Sequence, residues 1–107
     1  MKALSVRQPW ANLIASGQKT IETRTWQTSY RGELLIVSSR RPDIYPAGCA
    51  LAIVTLVDCR PMRSIDWIDA CCDPYPGAFA WVICDVRKID PIPTRGAQSL
   101  YDSPIYS

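Results

Sequence analysis

Ser16–Trp26 reads SGQKTIETRTW, and the way this stretch divides decides how its neighbours are laid out. Gly17 suits the left-handed residue that ends a helix. The β-branched Thr20, Ile21, Thr23 and Thr25 that follow favour a strand. Glu22 and Arg24 are two residues apart on that strand and share one face, while Ile21, Thr23 and Thr25 take the other. Lys19 lies in the turn just before, near enough to join Glu22 and Arg24. Such a charged trio is either an exposed decoration, worth about 0–1 kcal/mol per pair, or part of a site.

Upstream, KALSV alternates well enough for a short strand. Pro9 then stands where the first turn of a helix tolerates proline. Trp10, Leu13 and Ile14 follow at i, i+3, i+4, one apolar helix face. Downstream, SYRG is a turn and ELLIVSS an almost continuous apolar strand, buried in part on both faces. RRPDIYPAG is a loop. Cys49–Met62 is the longest strand candidate, bent or bulged within. Ser64 is a candidate N-cap for a short helix carrying Ile65, Trp67 and Ile68. AFAWVICDVRKI is another strand. The Pro- and Ser-rich end is mostly loop, with one short strand near Ile92 and a loop or tail over 97–107. Five or six strands with two short helices, and no βαβ rhythm or repeat, predict a single β-rich α/β domain over 1–107, a small barrel with helices at its ends.

The 107 residues suit one domain. No apolar run approaches the ~20 residues that span a bilayer. The N-terminus lacks an uninterrupted apolar stretch of the secretory kind. The expectation is a soluble, cytoplasmic protein without a membrane partner. Five cysteines, an odd number with no CxxC spacing, read as reduced thiols without a disulfide. The absence of histidine removes Ser-His and Cys-His catalysis and argues against a tight zinc site, so no metal and no cofactor are expected. Any general base must be Lys, Asp, Glu or a thiolate. Residues 1–57 hold seven of the 12 basic residues and three of the ten acids, so a net charge of +2 hides a basic N-terminal half. That asymmetry suits an anionic partner.

Within that half, Lys19 and Arg24 can hold an anion or a base edge, and Glu22 can accept from an exocyclic amine. A lysine beside a second cation is also the kind that serves as base or nucleophile. Trp10, Trp26 and Tyr30 interleave with these charges, as platforms for single-stranded nucleic acid do, although Trp10 and Trp81 read more readily as core. Gln8, Asn12, Ser38 and Ser39 are polar groups near element ends, able to read a base edge. Asp66, Asp69 and Asp73 recur at i, i+3, i+7 and read as a solvated helix face.

Taken in order, Gln8-Pro9-Trp10-Ala11, then Gly17-Gln18-Lys19-Thr20-Ile21-Glu22-Thr23-Arg24, then Tyr30-Arg31-Gly32 before a buried strand resemble the opening of the ASCH domain, a family of the PUA-like superfamily. The match is dense over 4–40 and continues weakly through the later strands. The resemblance implies a PUA-like barrel of five to six strands, with a basic, aromatic-rimmed cleft that binds RNA, a nucleotide or a modified nucleoside. It implies ligand contacts from Lys19, Glu22 and Arg24 in the cleft, with Gln8, Trp10, Tyr30, Arg31 and Ser38 around it.

Some bacterial members act as amidohydrolases on N4-acetylcytidine and others are described as ribonucleases. The alternative implied is therefore a small hydrolase with Lys19 and Glu22 as catalytic residues, Lys19 being base or nucleophile. The amidohydrolase-like members pair the lysine with a threonine where this chain has Glu22, and use a distant glutamate; this chain has no glutamate after Glu33. Val37 stands where a histidine is frequent. A protein-interaction module is a second alternative.

Overall fold

The computed structural model describes residues 1–106. In chain order the elements are β1 (Lys2–Val6), α1 (Trp10–Ala15), β2 (Ile21–Arg24), β3 (Gly32–Ser38), β4 (Cys49–Pro61), a 3₁₀ turn (Ser64–Asp66), α2 (Trp67–Ala70), β5 (Phe79–Pro93) and β6 (Tyr101–Asp102). The strands form one six-stranded sheet in the order β2-β5-β4-β3-β1-β6. Only β1 and β3 pair in parallel, with Ala3 opposite Leu35; every other neighbour pair is antiparallel. This is the mixed, β-rich fold with two short helices that the sequence predicts. The sheet is not closed by hydrogen bonds, because β2 and β6 remain its two edges. It curls instead: the Arg24 side chain on β2 reaches the main chain of Ser5 on β1.

The apolar run of β3 is explained by its two faces. Leu34 and Ile36 join Leu4, Val6, Ile14, Val54, Leu56 and Trp81 in the core beneath α1. Leu35 and Val37 pack on the opposite side with Ala3 and Ala50. Strand residues alternate between faces, so a strand buried on both sides must be apolar throughout. Strand β4 carries three register shifts against β5, at Ala50/Ala52, Ile53/Thr55 and Leu56/Asp58. Bulges of this kind bend a strand and raise its twist, as curling requires. The segment around Ile92 is not a separate strand but the end of β5, paired to Ala50. In the C-terminal segment, Tyr101–Asp102 pairs with Lys2 and Ala3 as β6.

The second helix differs from its expected form. Ser64 caps neither part: Arg63 takes the N-cap position of the 3₁₀ turn and Asp66 that of α2. Ile65, Trp67 and Ile68 are 69%, 53% and 61% exposed, so their side does not face the core. Asp66 is not part of a solvated acidic face. It is buried and receives two hydrogen bonds from the Arg60 guanidinium, at 2.7 and 3.0 Å, and one from the Arg63 backbone N–H at 2.7 Å. A buried polar anchor and the small Ala70 hold this segment. Periodicity finds apolar faces and cannot see such an anchor.

The paired hydrogen bonds from Arg60, aided by the Arg63 backbone, hold the Asp66 carboxyl down to about 2. A depressed carboxyl contributes stability above its unfolded value and loses it as pH falls through the folded value. Asp66→Asn is therefore expected to destabilise the fold by about 1–2 kcal/mol near neutral pH, a figure that allows for solvent screening. In urea titrations the gap to wild type should narrow steadily between about pH 4 and pH 2. A gap independent of pH would remove this account of the anchor.

Candidate functional site

The segment joining α1 to β2 places the first candidate side chain. Gly17, at φ +83°, ends α1 in a conformation that favours glycine. The backbone N–H of Lys19 then bonds to Leu13 O at 3.0 Å, and that of Thr20 to Asp69 O at 2.9 Å. Lys19 is thereby fixed between the two helices, only 1% exposed. Its ammonium donates to the carbonyl of Ala70 and stands 3.5 Å from Glu22 Oε1. The other Glu22 oxygen accepts from Arg24, with Nη2 at 2.9 Å and Nε at 3.1 Å. Arg24 Nη2 also donates to Ser5 O, while among the described residues its Nη1 makes no protein hydrogen bond. The result is a chain of alternating charges, Lys19–Glu22–Arg24, running from α2 across β2 to β1.

These three side chains line one cleft of about 480 Å³. That volume is typical of small-molecule sites. Trp10 and Tyr75 stand at it as aromatic walls, with Arg7, Ser39, Cys72 and Gln98 among the other lining residues. Thr23, on the opposite strand face by parity, also reaches the lining, its hydroxyl 3.8 Å from Cys72 Sγ. Three cations face two acids, Glu22 and Asp73.

The other candidates lie elsewhere. Gln8 is buried: its Oε1 accepts from Asn12 N at 3.0 Å, and its Nε2 donates to Asn12 Oδ1 at 2.9 Å and Pro46 O at 3.1 Å. Asn12 Nδ2 donates to Tyr45 O at 3.0 Å. Gln8 and Asn12 thus clamp the start of α1 to the loop after β3. The Tyr30 hydroxyl donates to Glu33 O at 2.6 Å, and Arg31 donates to the carbonyls of Thr28 and Tyr30. Together they brace the turn before β3, where Gly32 has φ +125°. Ser38 is buried, donating to Pro46 O at 2.5 Å and accepting from Cys49 N at 3.1 Å; it lines a second cavity beside the first. Trp26 and Trp81 form an edge-to-face pair 4.8 Å apart, with Trp81 Nε1 donating to Trp26 O.

Residues that the sequence did not single out include Ser5, Arg7, Cys72, Tyr75, Ala97 and Gln98. They come from β1, the residue after it and two loops far along the chain, and no local pattern marks them. All five cysteines are free thiols. Among the described residues there is no group of three His, Cys, Asp or Glu side chains able to hold a metal ion, and no helix long and apolar enough to cross a membrane.

The arrangement makes the two ends of the Lys19–Glu22 pair unequal. Removing Glu22 leaves a buried ammonium, whereas removing Lys19 leaves a carboxylate still held by Arg24. Breaking a buried pair so that one charge is stranded costs about 3–5 kcal/mol. Glu22→Gln is expected to destabilise in that range, and Lys19→Met by less than half as much, measured by urea unfolding. Equal losses would contradict the inequality.

With this geometry in view, the comparisons with known proteins are specific. The sequence pattern of the ASCH domain matches residues 4–93. Human activating signal cointegrator 1 is 35% identical over 80 residues, an alignment covering 52% of this chain and 14% of that protein. Its mouse counterpart is 34% identical over the same share. The chain thus covers about a seventh of the length of these relatives. The crystal structure of ASCH from Zymomonas mobilis superposes with a TM-score of 0.75 at 19% identity, covering 94% of this chain and 85% of that one. A point variant of that protein superposes at 0.74.

Proposed function

This chain belongs to the ASCH domain family, and on that premise we propose that it is a binding module for RNA or a nucleotide, with the Lys19–Glu22–Arg24 cleft as the base-recognition site. One observation carries the reading: a guanidinium with an unused Nη1 is fixed in a cleft that two aromatic side chains also line. Glu22 and Ser5 O fix the Arg24 plane, so its free donors are oriented before a ligand arrives. Pre-set donors of this type recognise the acceptor edge of a base or a phosphate. Trp10 and Tyr75 offer faces on which a base can stack. The basic N-terminal half supplies the attraction for an anionic chain.

The hydrolase alternative draws less support from the same atoms. A lysine nucleophile or base must present its nitrogen to the substrate. Lys19 is 1% exposed, and its ammonium is engaged by Ala70 O and Glu22. This position suits a lysine that holds Glu22 in place, and Glu22 in turn holds Arg24.

Arg24→Ala is expected to weaken binding to single-stranded RNA by about 1–3 kcal/mol. Arg87→Ala is the control, since Arg87 pairs with Glu33 on an exposed part of the sheet. Circular dichroism melts establish that both variants are folded. The reading fails if wild type binds no member of a panel of RNAs, nucleotides and modified nucleosides, or if a folded Arg24→Ala binds as wild type does.

A further inference from the structure

The cleft does not end at Arg24. A second cavity of about 540 Å³ adjoins it, and Ser5, Ser39, Ala97 and Gln98 line both. Its chemistry is different. No acid lines it; Arg40, Arg95, Ser39 and Thr94 do. Of the nine arginines, Arg24, Arg31, Arg60 and Arg87 each lie within 4.0 Å of a carboxylate oxygen, while Arg7, Arg41 and Arg63, like the two here, do not among the described residues. Among the described residues the side chains of Arg40 and Arg95 have no acidic partner, and the hydroxyls of Ser39 and Thr94 have no protein hydrogen bond.

The two arginines reach this cavity because two glycines let their segments close in. At Gly96 a Cβ would stand 2.4 Å from Ser5 Oγ, so the turn carrying Arg95 lies directly against β1. The N–H of Ala97 then bonds to that same Ser5 Oγ at 3.1 Å. At Gly48, φ +66°, a Cβ would stand 2.9 Å from Arg40 Cγ, so the Arg40 stem lies across a bare backbone. The loop after β3 and the turn after β5 thus bring two uncompensated guanidinium groups to one hollow. Two unpaired cations and two unused hydroxyls around a cavity without acids are complementary to a phosphate group.

We propose that this second cavity is a phosphate subsite, so that the ligand carries a phosphate attached to the nucleoside whose base occupies the main cleft. The inference rests on reading the main cleft as a base site. It selects nucleotides and polynucleotides over free nucleosides, because a neutral nucleoside leaves Arg40 and Arg95 unanswered. A mononucleotide and an internal nucleotide of a chain present the same chemistry, and the experiment separates them.

A fluorescent, random-sequence single-stranded RNA ten-mer is titrated into the intact chain at several salt concentrations. Arg40→Gln, Arg95→Gln and the double variant are compared with wild type, with Arg24→Ala and with Arg87→Gln. Both positions are exposed side chains without partners, and thermal melts check that the variants fold. Each single variant should bind roughly 3–10-fold more weakly, and the double variant should lower the salt slope by about 1.4, or 0.7 for each phosphate contact on a single strand. In competition, nucleoside 5′- or 3′-monophosphates should outperform the four nucleosides at least about tenfold, as a charge-assisted bidentate contact implies. Monophosphates matching the ten-mer identify a single nucleotide as the ligand; much weaker competition identifies a chain. The inference is overturned if the double variant keeps wild-type affinity and slope while Arg24→Ala still weakens binding, which leaves the main cleft standing. Nucleosides competing as well as nucleotides overturn it too. Absence of binding to RNA and nucleotides alike overturns both readings.

Discussion

A buried ammonium has to be answered, and in this fold the answer to Lys19 organises the site. At 1% exposure it cannot rely on water, and leaving a charge in such a place unpaired costs several kcal/mol. Its two acceptors belong to different elements: Glu22 on β2 and the carbonyl of Ala70 at the end of α2. Satisfying Lys19 therefore docks a four-residue helix that offers little apolar surface to the core. The backbone bond from Thr20 to Asp69 and the Asp66–Arg60 pair complete that docking. Glu22 then passes the constraint to Arg24, and Arg24 carries it to Ser5 on β1. A polar chain thus links β2, α2 and β1 across a sheet that its own hydrogen-bond ladder leaves open.

Ser5 is where the two cavities meet. Its carbonyl accepts from Arg24 and its hydroxyl accepts from Ala97, so one residue of β1 sets the floor of the cleft and the height of the turn after β5. The clamp built from Gln8 and Asn12 does the same for the opposite wall, tying the loop after β3 to α1. Ser38 fixes the base of that loop from within. The polar residues around the cleft divide accordingly. Some are consumed in holding loops at a set distance, and others are left with free donors.

That division explains what could be read from the sequence and what could not. Strand period two is fixed by backbone geometry, so Glu22 and Arg24 on one face were legible without a structure. The two-sided burial of β3 was equally legible from Leu34 to Val37, because only an unbroken apolar run satisfies it. Gln8, Tyr30, Arg31 and Ser38 were legible as polar residues near element ends but not in their contacts. An amide or hydroxyl can meet a base edge or a nearby carbonyl, and which it meets depends on where Pro46, Glu33 or Cys49 comes to lie. Ile65 and Ile68 mark the opposite limit. Their spacing suggested a buried face, yet α2 is held by Asp66, which looked like one more surface acid. Cys72, Tyr75 and Gln98 had no local signal, since the sheet topology alone brings them to the cleft.

Charge pairing separates the two parts of this surface further. Of the three cations in the main cleft, Arg7 has no acidic partner among the described residues, and the other two are answered by protein: Lys19 by Glu22, and Arg24 by Glu22 and Ser5. Their charges are screened before any ligand enters, so what they add is direction, through donors held at fixed angles. The arginines of the adjoining cavity are unanswered, and their charge is available in full. A ligand that presents a flat, hydrogen-bonding edge to the first and an anionic group to the second uses each part for what it offers. Reversing the two would set an anion close to Glu22 and an uncharged edge beside two unpaired cations. On the proposed reading, this arrangement of charges would orient the ligand along the surface, base toward β2 and phosphate toward the turn after β5.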